Sequence, residues 1–186
     1  MKYVSIDIET TGLDPSTCQT IELGAVIDDL NDPRPVESLP TFQCYIEHEQ
    51  YRGQPYALSM HPVAFKRIAT KESGFDYYSP EAAVAAFENF LAQNIENYED
   101  DQRINVAGKN FASFDWQFLK RLATWNDVMK IRHRVIDPSM LYWQPGDDRL
   151  PDTKLCMERA GLDGVVAHTA VEDAQVVCEL IRRAWR

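Results

Sequence analysis

Lys2-Tyr3-Val4-Ser5-Ile6-Asp7-Ile8-Glu9-Thr10-Thr11-Gly12 is the stretch on which the fold turns. From Tyr3 to Ile8, β-branched and aromatic residues dominate and predict a first strand; Thr11-Gly12-Leu13-Asp14-Pro15-Ser16 predicts the turn that ends it. Side chains alternate along a strand, so Asp7 and Glu9 share one face with Cα atoms roughly 6 to 7 Å apart, and Val4, Ile6 and Ile8 occupy the other. Two carboxylates so placed can reach a common ion. Gly12 lets the backbone turn sharply where a ligand could approach. Acidic residues also gather where strands meet solvent, so this pair needs corroboration from elsewhere in the chain.

Working outward, Ile21 to Leu30 reads as a second strand and Thr41 to Glu47 as a third, joined by a hairpin connection containing Pro33, Pro35 and Pro40. A short helix follows over Pro62 to Ala69. A better one opens with Ser79 as N-cap and Pro80 at its first position and runs to Leu91. Short strands at Ile104 to Ala107 and Arg134 to Ile136 alternate with helices over Phe114 to Ala123, around Pro138 to Trp143, over Thr153 to Ala160 and over Ala170 to Ala184. Three strands followed by alternating helix and strand give a mixed sheet flanked by helices. The expectation is an α/β fold: a single domain over residues 1–186 with a five-stranded sheet, for which the ribonuclease H-like arrangement is the simplest.

The chain has 186 residues, 45% of them hydrophobic, enough for one packed domain and too few for two comfortable ones. No apolar run approaches the ~20 residues that span a bilayer, and the opening segment turns acidic at Asp7, too early for a signal peptide. A soluble, cytoplasmic protein with no membrane partner is expected. Cys18, Cys44, Cys156 and Cys178 are scattered without a CxxC pair, as reduced and mostly buried thiols would be. The formal net charge of −10 argues against holding long duplex through many phosphates, and favours short or single-stranded contacts. It also suits a carboxylate cluster made tolerable by divalent cations.

Two further sites carry acidic groups where a core should not allow them. Asp115 stands near the start of a helix whose apolar residues include Phe118, Leu119 and Leu122, which puts it on or beside the buried stripe. Complementing the helix dipole would be a purely structural reason for it. Thr169-Ala170-Val171-Glu172 has the capping-box pattern, with Thr169 as N-cap and Glu172 at N3. His168 and Asp173 then occupy the N′ and N4 positions, where a hydrophobic staple would normally sit. Asp173 is also in line with Val176, Val177 and Leu180, and burying it unpaired would cost several kcal/mol, so it needs a cation or hydrogen-bond donors. A His168 to Asp173 salt bridge without chemistry is the structural alternative.

Asp7-Ile8-Glu9-Thr10-Thr11-Gly12, Asn110-Phe111-Ala112-Ser113-Phe114-Asp115 and His168-Thr169-Ala170-Val171-Glu172-Asp173-Ala174 together resemble, in order and spacing, the three motifs of the DEDDh 3′-to-5′ exonucleases. Ile21-Glu22-Leu23-Gly24-Ala25 also looks like that family's second strand. Lys109 departs from the pattern, standing where a His often precedes the Asn of the second motif, and the segment from Glu49 to Tyr78 offers no close match. The resemblance implies catalytic Asp7, Glu9, Asp115, His168 and Asp173, with two Mg²⁺ or Mn²⁺ ions held by the four carboxylates and His168 as general base. It implies substrate contacts from Thr10, Thr11, Gly12 and Leu13, with Leu13 against the last base, and from Asn110; Phe65 is a further candidate, since an aromatic face can grip an unpaired base. Phe111, Phe114 and Trp116 are expected in the core. The implied partner is single-stranded nucleic acid with a free 3′ end; the family contains both homodimers and polymerase-associated subunits. A non-catalytic docking module of the same fold and an endonuclease are the rival readings.

Overall fold

The computed structural model describes residues 1–98, 103–163 and 169–185. Its sheet is mixed and has six strands in the order β4-β3-β2-β1-β5-β6. β1 (Lys2–Thr10) lies near its centre, antiparallel to β2 (Thr20–Asp29) and parallel to β5 (Arg103–Ala107). β3 (Thr41–Ile46) runs antiparallel to β2, while β4 (Asp76–Tyr78) and β6 (Lys130–Ile136) form parallel edges. The sequence predicts five strands; the sixth, β4, has only three residues, too short for any period to show.

The two faces of β1 explain its burial pattern. Val4, Ile6 and Ile8 point into the larger core, which α3 (Pro80–Asn94) and the α4 (Asp115–Leu119) and α5 (Trp125–Val128) region cover with Phe87, Leu91, Phe118 and Trp125. Phe87 and Trp125 stack at 5.9 Å between ring centroids. Tyr3 lies on the opposite face, under α8 (Ala170–Ala184). There Ala170, Ala174, Val177, Cys178 and Ile181 are buried, spaced as one stripe of an amphipathic helix. Val176 and Leu180 pack beside α7 (Thr153–Ala160).

α8 is fastened at both ends. Near its C-terminus the buried Arg182 guanidinium donates to both Asp28 oxygens on β2, at 2.9 and 2.6 Å, and Tyr3 Oη donates to the same carboxylate at 2.7 Å. At its N-terminus the fastener is a missing side chain. A Cβ on Gly24 of β2 would lie 2.3 Å from both the Ala170 carbonyl carbon and the Val171 nitrogen, so only glycine lets the helix start rest on the sheet.

Ser79 caps α3 as the sequence predicts, accepting from Ala82 N–H at 3.3 Å, and α3 continues to Asn94. α2 (Pro62–Thr70) and α6 (Pro138–Tyr142) fall close to expectation, and α7 and α8 match it. The helix expected over Phe114 to Ala123 ends at Leu119 instead; the chain then bends through Thr124 at φ 68° so that Leu122 and Trp125 both reach the core. α1 (Pro55–Met60), which buries no residue, and α5 were not expected. Among the described residues, no helix is long and apolar enough to cross a membrane, and all four cysteines are buried free thiols.

Candidate active site

Asp7 and Glu9 project from β1 on the α8 side of the sheet, and Gly24 and Glu22 stand directly opposite them on β2. Because α8 rests on Gly24, Asp173 in its first turn comes down over the same spot. Asp7, Glu9 and Asp173 each offer an oxygen such that all lie within 4.8 Å of one another. Asp115 approaches from the β5 side. It is 4% exposed, at the start of α4, and its carboxylate accepts from its own amide and from Ile8 N–H. β5 pairs with β1 only as far as Ser5, so Asp115 engages the strand at Ile8, between Asp7 and Glu9.

Burial raises Asp7, Glu9 and Asp115 alike. Asp7 is pushed well above the usual carboxylate range, first by desolvation and then by Asp115, Asp173, Glu9 and Glu22. Glu9 moves from 4.5 to about 8 through desolvation and the repulsion of Glu22, Asp173 and Asp115, and desolvation lifts Asp115 as well. Carboxylates held this close in a low dielectric destabilise one another unless protonated or bridged by cations.

Sequence reasoning missed two residues here. Glu22 is 2% exposed, accepts from Gln43 Nε2 at 2.7 Å and takes the backbone N–H of Ala170 at the start of α8. Its burial raises its pKa despite those bonds. Glu22 thus does the capping expected of Thr169, whose hydroxyl donates to the Glu172 side chain rather than accepting from the backbone. The second is His61, 8% exposed before α2, with Nε2 3.5 Å from Glu9 Oε2. It lies in the segment without a family match, and only the fold brings it to the strand end.

The turn after β1 is held from the 52–54 segment. Thr11 Oγ1 donates to the Arg52 carbonyl at 2.5 Å, Gln54 N–H donates to the Thr11 carbonyl at 2.8 Å, and Thr11 N–H donates to the Gln19 carbonyl at 2.9 Å. Thr10 Oγ1 donates to the Gly12 carbonyl at 2.8 Å. The Thr11 backbone is therefore engaged internally, and Leu13 is left as the tip, 74% exposed. Asn110 takes φ 59°, its N–H donating to Asp137 at 2.9 Å and its side chain accepting from Ser113 Oγ. Phe65 is half-buried, edge-on to Tyr51 at 5.3 Å, and its N–H donates to the His61 carbonyl at 3.1 Å. Phe111 is buried, and Phe114 and Trp116 pack on the same core. His168 lies outside the described residues.

The protonation states give a test of cation binding. Since Glu9 has a folded pKa of about 8 against 4.5 ordinarily, the protonated form favours the folded state. Its stabilisation is complete below 4.5 and is lost as pH rises toward 8. A cation must displace those protons, so its apparent affinity rises by up to about tenfold per pH unit for each proton released. The metal-free protein should melt lower at pH 8.5 than at pH 6, and the gain in Tm on adding Mn²⁺ should be larger at pH 8.5. Thermal denaturation with and without chelator checks both.

An exonuclease family model, that of RNase T, matches residues 4–181. No curated protein matches the chain significantly. Among solved structures, E. coli exonuclease I with a dT13 oligonucleotide superposes with a TM-score of 0.63 at 15% identity, covering 97% of this chain and 40% of that one. A second exonuclease I structure gives a TM-score of 0.66 at 14% identity over 98% of this chain and 40% of that one. The likeness is one of fold, and this chain spans about 40% of the length of those relatives. With the family model matching nearly its whole length, the chain belongs to the RNase T exonuclease family.

Proposed function

We propose that the protein hydrolyses phosphodiester bonds from the 3′ end of single-stranded DNA or RNA, releasing nucleoside 5′-monophosphates. The observation that carries this reading is the convergence of Asp7, Glu9 and Asp173 oxygens within 4.8 Å, with Asp115 buried beside Asp7. An all-carboxylate donor set, mutually repelled and desolvated, fits two hard divalent ions, Mg²⁺ or Mn²⁺. Asp7, which feels every other acid of the cluster, would hold the ions together with Glu9, Asp115 and Asp173. When bound, the ions supply Lewis acidity that activates water and offsets charge on the phosphoryl group and the leaving 3′ oxygen.

The chain's own residues supply the rest. His168, five positions before Asp173 in the third motif, is assigned as the base that takes the proton of the attacking water. Leu13 is assigned to the terminal base, a role supported by its exposure at the tip beyond Gly12. Glu22 acts at one remove, fixing the start of α8 and hence Asp173. Single-stranded substrate is favoured by the exonuclease I structures of like fold, which hold single-stranded DNA. A reducing, cytoplasmic setting suits the four buried thiols. The full set of acids makes a purely non-catalytic docking role the weaker alternative.

End dependence tests this reading against an endonuclease: a linear single strand should be consumed while a circular one of the same sequence survives, and cleavage of the circle overturns it. A His168→Ala protein should keep its Mn²⁺-induced rise in Tm and lose about 10²- to 10⁴-fold in rate. Loss of the thermal response would instead make His168 a ligand.

A further inference from the structure

The net charge conceals a local reversal of sign. Beside β6 lies a groove of about 720 Å³, lined by Arg103, Lys120, Lys130, Arg132, Arg134 and His133. The chain carries 29 acidic and 19 basic residues, yet no carboxylate among the described residues lines this groove. Trp116 and Asn105 are also in its wall, and the Lys120 ammonium sits over the Trp116 ring at 5.2 Å.

The fold builds this arrangement. β6 pairs with β5 at Ile104↔Ile131 and again at Val106↔Val135, so three residues of β6 stand against Asn105 alone. The bulge presents Arg132, His133 and Arg134, all exposed, on the free edge of the sheet. Its wall borders elements that carry residues of the site. Trp116 follows Asp115 on α4, and at the other end of β6 Gly108 N–H donates to the Ile136 carbonyl at 3.0 Å and Asn110 N–H to Asp137 at 2.9 Å. Seven strand residues span on the order of 20 Å, enough for several nucleotides.

We infer that the β6 groove is the track for the single strand on the 5′ side of the cleaved nucleotide, its phosphates held by Lys120, Lys130 and Arg134 and a base stacked at Trp116. Cationic side chains interleaved with an aromatic ring and amide donors are the chemistry that grips single strands without reading sequence. The inference rests on the exonuclease reading of the cleft. Charged side chains also keep a free sheet edge from pairing with another chain, and the experiment must separate the two roles.

Charge reversal does so, because a Lys120→Glu, Lys130→Glu, Arg134→Glu protein keeps a charged edge but repels phosphate. Binding of 5′-fluorescein-labelled dT20 is followed by anisotropy in chelator, so that no cleavage intervenes, and hydrolysis of dT3, too short to run along β6, is followed with Mn²⁺. The reversal should weaken dT20 binding at least tenfold and flatten its log–log salt dependence by about 2, at roughly 0.7 per phosphate contact. Hydrolysis of dT3 should stay within twofold. Unchanged dT20 binding overturns the track and leaves edge protection; dT3 hydrolysis falling as far as dT20 binding overturns it as a structural disturbance. A wild-type protein that cleaves nothing, but whose dT20 binding still falls on reversal, would overturn the exonuclease reading and the track with it, leaving a groove that binds single strands without feeding a cleavage site.

Discussion

Asp7→Asn should abolish hydrolysis while making the metal-free protein more stable. Asp7 is the acid on which all the others act: desolvation and the charges of Asp115, Asp173, Glu9 and Glu22 raise its pKa. An amide removes that repulsion at nearly constant shape, so the variant should gain about 1–2 kcal/mol. For a domain of this size the gain corresponds to a Tm higher by about 2–8 °C. The same change removes a hard anionic ligand from the middle of the donor set, and activity should fall on the order of 10³-fold or more. A lower Tm in chelator would show that Asp7 has a stabilising partner, contrary to the electrostatics described above. Undiminished activity would remove it from the chemistry.

Gly24→Ala should be damaging for the opposite reason, since it touches no charge at all. The new methyl group would meet the Ala170 and Val171 backbone at 2.3 Å, and backbone at a helix start cannot swing aside as a flexible side chain can. Either α8 lifts or β2 bends, at a cost of about 3 kcal/mol and a Tm lower by roughly 6–12 °C. Because Asp173 rides on that first turn, the acids separate and Mn²⁺ should raise Tm less than in the wild type. A variant with wild-type Tm and metal response would mean that α8 is not held by this contact.

These two positions illustrate what the sequence discloses and what it hides. The acids of the site are legible because each violates a local rule: Asp7 and Glu9 on one strand face, Asp115 on a helix's apolar stripe, Asp173 where a staple should be. α7 and α8 are legible because their periodicity is long enough to fix both ends. Gly24, Glu22 and His61 are different. Gly24 and Glu22 do their work against a helix more than 140 residues away, and His61 meets Glu9 across 52 positions, so no local pattern marks any of them. The sequence marks β6 only from Arg134, since Lys130-Ile131-Arg132-His133 has the charge of a solvated loop, whereas a free sheet edge tolerates such charge. Net charge likewise averaged away the basic groove that β6 borders.

The most direct measurement is digestion of 5′-labelled linear single-stranded DNA and RNA with Mn²⁺, run beside a chelator control and the Asp7→Asn protein. The expected result is a metal-dependent ladder of products shortening from the 3′ end, absent in both controls. Products that keep the 3′ end but lose the 5′ label first, or a ladder that persists in chelator or with Asp7→Asn, would contradict a 3′-directed exonuclease built on these carboxylates.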